Sequence, residues 1–150
     1  MTPLFKKLNF KGEAKIHVLD APDSFLPELE AMKLFTSVKV GFGPGEKSPF
    51  ILGFCLLKKQ VDLFAKKAAA HIEEDGILWI AYPKGTSKKY KCDFNRDNGW
   101  DTLGNLGFEP VRGVAIDEDW SVLRFRKVAY IKKMTRSFAM TEEGKKRIGK

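Results

Sequence analysis

Apolar and polar positions divide the chain into short strands and one long amphipathic helix. Ile77 to Tyr82 is an unbroken apolar, β-favouring run, the pattern of a strand covered on both faces, and Pro83 stops it. Phe50 to Leu57 is a second run of this kind. Between them, Lys58 to Ile72 sets Val61, Phe64, Ala65, Ala68 and Ile72 at spacings of three and four. Lys58, Lys59, Asp62, Lys66 and Lys67 fall on the opposite side. Strand, helix and strand in that order predict a βαβ unit with a parallel pair.

The flanking segments extend this nucleus. Lys15 to Leu19 reads as a first strand. A helix is predicted to start just before Pro27, with Ser24 as its N-cap and Leu26, Leu29 and Met32 on its apolar side. Thr36 to Phe42 alternates as a half-buried strand does, and Gly41, Gly43, Pro44 and Gly45 make a connection. Trp100 to Leu106 predicts a short helix ended by Gly107. Glu109 to Ile116 and Ser121 to Val128, joined by the short link DEDW, predict an antiparallel pair. In the last strand Leu123 and Phe125 alternate with Arg124 and Arg126, which suits a second face meeting solvent. The expectation is one three-layer α/β domain over residues 1–131, a mostly parallel sheet ending in an antiparallel hairpin, with a basic C-terminal tail at 132–150.

Composition narrows the class. The chain has 150 residues, 43% of them hydrophobic, enough to bury a core without metal or disulfide staples. No apolar run approaches the roughly 18 residues of a membrane span, and no membrane partner is expected. The first residues lack a secretory h-region. Cys55 and Cys92 lie in unlike settings, as free thiols of a reducing compartment do, so the protein is expected in the cytoplasm.

Charge is informative once located. The net charge is +8. The segment 132–150 carries seven basic against two acidic residues, and 84–97 five against two, which together account for the whole surplus. Such clusters attract an anion, a phosphate-bearing ligand or nucleic acid, or simply keep a loop and a tail in water. Tyr90 and Phe94 among the lysines are the composition that favours single-stranded nucleic acid.

Candidate chemistry is sparse. Asp20 and Asp23 follow the first strand at the edge where open α/β sheets bind ligands, although turn formation explains them too. His17 and His71 lack ligand partners at metal spacing, and no metal is expected. Cys92, flanked by Lys89, Lys91 and Arg96, is a candidate for a depressed thiol pKa. Asp93 and Asp97 suit either an acid/base pair or capping of the Trp100 helix and neutralisation of lysines. Asp117, Glu118 and Asp119 form an acidic turn that would oppose the basic loop if the fold joined them. Trp79, Trp100 and Trp120 read as packing residues.

The segments LWIAYPKG, DFNRDNGWD and GFEPVRGVAIDEDWSVLRFRK, preceded by VLDAPDSF, resemble an uncharacterised bacterial domain family with a W-x-A-x-P-K and D-E-x-W-S-x-L-R-F pattern, over Lys11 to Lys127. The element order is similar, more distantly, to the second half of a class I S-adenosylmethionine-dependent methyltransferase. That resemblance implies a Rossmann-like fold. The glycine-rich turn such enzymes carry after the first strand is here Asp20-Ala21-Pro22-Asp23, and an acidic residue ending the second strand is missing, since Glu46 lies beyond the turn. The expected function is therefore a non-catalytic module binding an anionic or phosphate-bearing small ligand at the sheet's C-terminal edge, through Asp20, Asp23, Ser24, Lys84, Thr86, Ser87, Lys88 and Lys89. No catalytic residue and no cofactor are assigned. The alternatives are a methyltransferase-like enzyme with a degenerate cofactor turn, and a nucleic-acid-binding protein using the basic loop and tail.

Overall fold

The computed structural model describes residues 1–95 and 97–131; Arg96 and the tail expected at 132–150 lie outside the described residues. The elements are α1 (Pro3–Lys7), β1 (Lys15–Leu19), a 3-10 turn (Asp23–Phe25), α2 (Leu26–Met32), β2 (Ser37–Lys39), β3 (Ser48–Phe54), α3 (Lys58–His71), β4 (Ile72–Pro83), α4 (Asp101–Asn105), β5 (Phe108–Ala115), β6 (Trp120–Lys127) and a closing 3-10 turn (Val128–Tyr130). The strands form one six-stranded sheet in the order β2-β1-β3-β4-β6-β5. β1 pairs in parallel with β2 and β3, and β3 with β4, whereas β6 runs antiparallel to both β4 and β5. This is the mostly parallel sheet with a terminal antiparallel hairpin that the hydrophobic pattern and the short DEDW link imply, in the Rossmann-like arrangement that the methyltransferase resemblance implies.

β4 shows why the fold has three layers. Period-two alternation sends Leu78, Ile80 and Tyr82 to one face, where they meet Val61, Phe64, Ala65 and Ala68 of α3 and Leu103 of α4. Ile77, Trp79 and Ala81 turn to the other, against Phe5, Leu8, Leu29 and Met32. An apolar run is what a strand buried on both faces requires.

Several local expectations need correction. Ser24 does not cap a helix: the 3-10 turn Asp23–Phe25 runs directly into α2, whose first turn has no side-chain cap, and Leu26 is exposed. β2 is three residues long, and Val40 stands 76% exposed beyond it. β4 starts five residues before its apolar run, because α3 leads straight into it. Glu73 to Asp75 form an irregular entry where the register with β3 shifts, and Asp75 has φ of 50°. The second face of β6 is not solvated along its length, since Val122 is fully buried and Arg124 and Arg126 are half-buried. Helix α1, with Pro3 at its start and Thr2 Oγ1 accepting the Phe5 N–H at 3.2 Å, has too few residues for a periodic signal in sequence.

Among the described residues no helix is long and apolar enough to cross a membrane.

Candidate binding site at the C-terminal sheet edge

Pro83 ends β4 at the edge where β1 and β3 also end. The Lys84 N–H donates to the Asp119 carbonyl at 2.8 Å, and the Ser87 N–H closes a turn onto the Lys84 carbonyl at 3.0 Å. The Ser87 hydroxyl donates to the Asp119 carboxylate at 2.8 Å, while its oxygen accepts the N–H groups of Lys89 and Tyr90 at 3.2 and 3.1 Å. The acidic hairpin tip and the basic loop are thus joined.

The rest of the loop is pinned from two sides. Asp93 accepts the N–H of Lys58 at 2.7 Å, so it caps α3 rather than the Trp100 helix. The Trp100 indole donates to the Asn95 carbonyl at 2.9 Å. Asp93 and Asp97 lie in a non-helical loop, so helical spacing does not pair them. Phe94, only 7% exposed, packs on Tyr82 and Trp100, and the Tyr90 ring lies 5.0 Å from that of Trp120. Phe94 is core packing, whereas Tyr90 is half-buried.

Under this loop is a cavity of about 740 Å³. Tyr82, Pro83 and Ser121 form its strand side. Lys84, Thr86, Tyr90, Lys91 and Asp97 are among its loop residues. Lys84 is half-buried and Lys91 exposed. Neither forms an ion pair among the described residues.

Of the residues expected to bind, Lys84, Thr86 and Ser87 line this cavity; Lys88 and Lys89 do not. The Lys89 ammonium lies over the Tyr90 ring, 5.3 Å from its centroid. Asp23 and Ser24 sit exposed in the 3-10 turn. Asp20, with φ of 59°, lines a separate 280 Å³ depression with Phe42, Lys67 and His71. The first turn and the lysine loop do not share one pocket, because β3 lies between β1 and β4. Two strand spacings of about 4.8 Å separate them. Lys91 and Tyr90 joined the site only through the loop's tertiary path, and no spacing in sequence marks them.

Cys55 is buried directly after β3. Burial, with smaller contributions from Asp20 and Cys92, pushes its thiol up to about 12. Cys92 also has a raised pKa, first from burial, and its thiol donates to the Phe94 carbonyl at 2.9 Å. The depressed pKa expected from Lys89 and Lys91 is therefore not found, because lost hydration acts in the opposite direction and is the largest influence on the thiol; Arg96 lies outside the described residues.

Beside the smaller depression, the loop after β2 is latched down. Phe42 is stacked between the imidazoles of His17 and His71, with centroids 4.5 and 4.3 Å away. The Ser48 Oγ lies 2.7 Å from His17 Nδ1, and His17 Nε2 lies 3.2 Å from Glu46 Oε1. This hydroxyl, imidazole and carboxylate are in line as in a nucleophilic triad, yet Ser48 and His17 are fully buried, which denies a substrate any approach. The Glu46 carboxylate also accepts from the Gly43 N–H and Lys15, both at 2.9 Å, and these hold its pKa down to about 2. Burial lowers the pKa of His17 below 6.5.

Both groups bind protons more readily in the unfolded chain, so both make stability fall with acid. The His17 contribution is complete above pH 6.5 and is lost as pH falls through its lowered pKa; that of Glu46 is complete above 4.5 and is lost toward about 2. Urea unfolding from pH 7 to 3 is expected to show declining stability that starts near 6.5. In His17→Gln the decline should start only near 4.5. An unchanged onset in the variant would remove His17 from the latch.

Among the described residues no group of three or more His, Cys, Asp or Glu side chains could hold a metal ion.

No family model and no curated protein matches the chain, so the resemblance to the uncharacterised bacterial family gains no support. Solved structures do match. The chain is similar to a SAM dependent methyltransferase from Aquifex aeolicus, at 13% identity and TM-score 0.54, over 83% of this chain and 88% of that one. It is similar to the N-methyltransferase NodS from Bradyrhizobium japonicum WM9, at 13% identity and TM-score 0.52, over 83% and 92%. The Methanococcus jannaschii fibrillarin pre-rRNA processing protein aligns at 14% identity and TM-score 0.50, over 78% and 67%. The chain therefore has the Rossmann-like fold of S-adenosylmethionine-dependent methyltransferases.

Proposed function

We propose that this domain is a non-catalytic module of methyltransferase-like fold that binds an anionic, phosphate-bearing small ligand in the cavity after β4. One observation carries the reading: Lys84 and Lys91 stand on the wall of a 740 Å³ cavity with no ion pair among the described residues. Cations left uncompensated in a concave site raise the local concentration of anions. Thr86 and Ser121, which also line the cavity, add hydroxyl donors. The cavity is within the size range of small-molecule pockets.

The fold raises a second reading, methyl transfer, and the residues do not fit S-adenosylmethionine. The turn after β1 has Pro22, without an N–H, and Asp20 where a glycine would admit the nucleoside. Phe42 is wedged between two imidazoles beside Asp20. The space left is 280 Å³, below the ~300 Å³ at which pockets for drug-sized ligands begin. The carboxylate nearest in sequence, Glu46, is committed to Gly43 and Lys15.

Calorimetric titration separates the readings. Pyrophosphate and nucleoside monophosphates are expected to bind the wild type, and Lys84→Ala with Lys91→Ala should weaken them by roughly tenfold or more, about 1.4 kcal/mol. S-adenosylmethionine should release no heat. Micromolar binding of S-adenosylmethionine would overturn this reading in favour of methyl transfer. Equal affinity in the double variant would remove the cavity as the phosphate site.

A further inference from the structure

A second cavity, of 290 Å³, lies at the other end of the sheet, lined by residues from the irregular entry to β4, the end of β6 and the segment after α1. Gly76 and Pro83 are seven residues apart on β4, which at ~3.3 Å per residue puts this cavity roughly 23 Å from the lysine loop. Three features mark it. Two of the three non-glycine residues with positive φ among the described residues, Asn9 at 66° and Asp75 at 50°, are in its wall; such strain tends to persist where geometry is imposed for a purpose. Arg124 faces it half-buried, with its Nε buried and without a hydrogen-bond partner. Directly across the hairpin from Arg124 is Arg112, a like-charge pairing that costs stability and is offset only in part by the Asp75 and Glu13 carboxylates.

The cavity's other charges are mixed. Arg126 is held by Asp75 through two contacts of 2.6 Å. Glu13 accepts the Lys11 N–H at 2.6 Å. Glu73 and Glu74 are exposed and form no ion pair among the described residues. A plain anion would meet Glu73 and Glu74, and a plain cation would meet Arg124 and Lys11, which also lines the cavity. A molecule carrying both charges at a short separation meets neither conflict.

We infer that this cavity binds a small zwitterion of the free amino-acid class, with its carboxylate on the Arg124 guanidinium and its ammonium toward Glu73 and Glu74. The planar fork of arginine suits a carboxylate, which accepts two parallel N–H bonds. The volume admits such a molecule and falls short of a nucleotide-sized one.

Amide chemical shifts of the full chain, titrated with the common free amino acids, test this, with acetate and methylamine as single-charge controls. At least one amino acid is expected to bind at about millimolar affinity or better, with shifts at Gly76, Ile77 and Arg124, and the controls at least about tenfold weaker. Arg124→Lys keeps a charge but loses the fork, and Glu73→Gln with Glu74→Gln removes the ammonium partners; each is expected to weaken binding by about tenfold. Urea unfolding of each variant verifies that it is folded. The inference is overturned by no amino-acid response, by acetate binding as tightly as the amino acids, or by undiminished affinity in Arg124→Lys. None of these results bears on the phosphate reading, which concerns the opposite edge.

Discussion

Trp79→Ala is expected to reduce the free energy of unfolding by about 3–5 kcal/mol, the usual range for a large aromatic side chain cut out of a core. For a chain of this length that lowers the melting temperature by roughly 6–20 °C. The indole is fully buried at the centre of β4, between Leu52 of β3 and the hairpin strand β6. It faces the layer formed by α1 and α2. Its Nε1 also donates to the Leu8 carbonyl at 2.9 Å, tying the N-terminal segment to the sheet. Trp79→Phe separates the two contributions, because it retains most of the apolar body while leaving that carbonyl unpaired, at a cost of about 1–3 kcal/mol. Urea denaturation of the three proteins makes the comparison. A loss below 1 kcal/mol in Trp79→Ala would contradict the packing described.

Gly53→Ala is the second large effect, and it works by excess rather than loss. A Cβ at position 53 would lie 2.3, 2.4 and 2.6 Å from three ring carbons of Phe64. Phe64 is the α3 residue that rests on β3 here and is only 6% exposed. The ring is packed in the core and must shift to make room, so overpacking should cost about 1–3 kcal/mol. Phe64→Ala removes the obstacle at its own cost of about 3–5 kcal/mol. In that background Gly53→Ala should cost almost nothing, and the double-mutant cycle should return a coupling energy of about 1 kcal/mol or more. Additive losses would mean that the glycine is not there for the close approach of helix and sheet.

These two positions show how far the chain could be read before folding was known. Trp79 announced its burial because it lies in an unbroken apolar run, and alternation along β4 does the rest. Gly53 looked like any strand glycine, since nothing local says that a phenylalanine eleven residues later will lie on it. The same division runs through the candidate site. Lys84, Thr86 and Ser87 follow directly from the end of a legible strand, and the structure brings them to one cavity. Lys88 and Lys89 share their composition but turn outward, because Ser87 fixes the path of the loop by accepting two backbone N–H groups and donating to Asp119. Cys92 illustrates a wrong electrostatic expectation. Adjacent lysines in sequence do not lower a thiol's pKa when the sulfur itself is partly desolvated and burial is the largest influence on it.

The sequence by itself determined the β-α-β nucleus, the antiparallel hairpin and the three buried tryptophans, since apolar periodicity and link length are local properties written in neighbouring residues. It also determined that the turn after β1 is not a glycine cradle, because proline's missing N–H does not depend on context. Tertiary structure alone decided that Asp20 and the lysine loop open into separate depressions, with β3 between them, and that His17, Phe42, His71 and Glu46 form one latch. It alone gathered Arg124, Glu73 and Glu74 around a second cavity. Contacts between residues far apart in the chain depend on strand order and register, which fix the distances over which charge, burial and shape act.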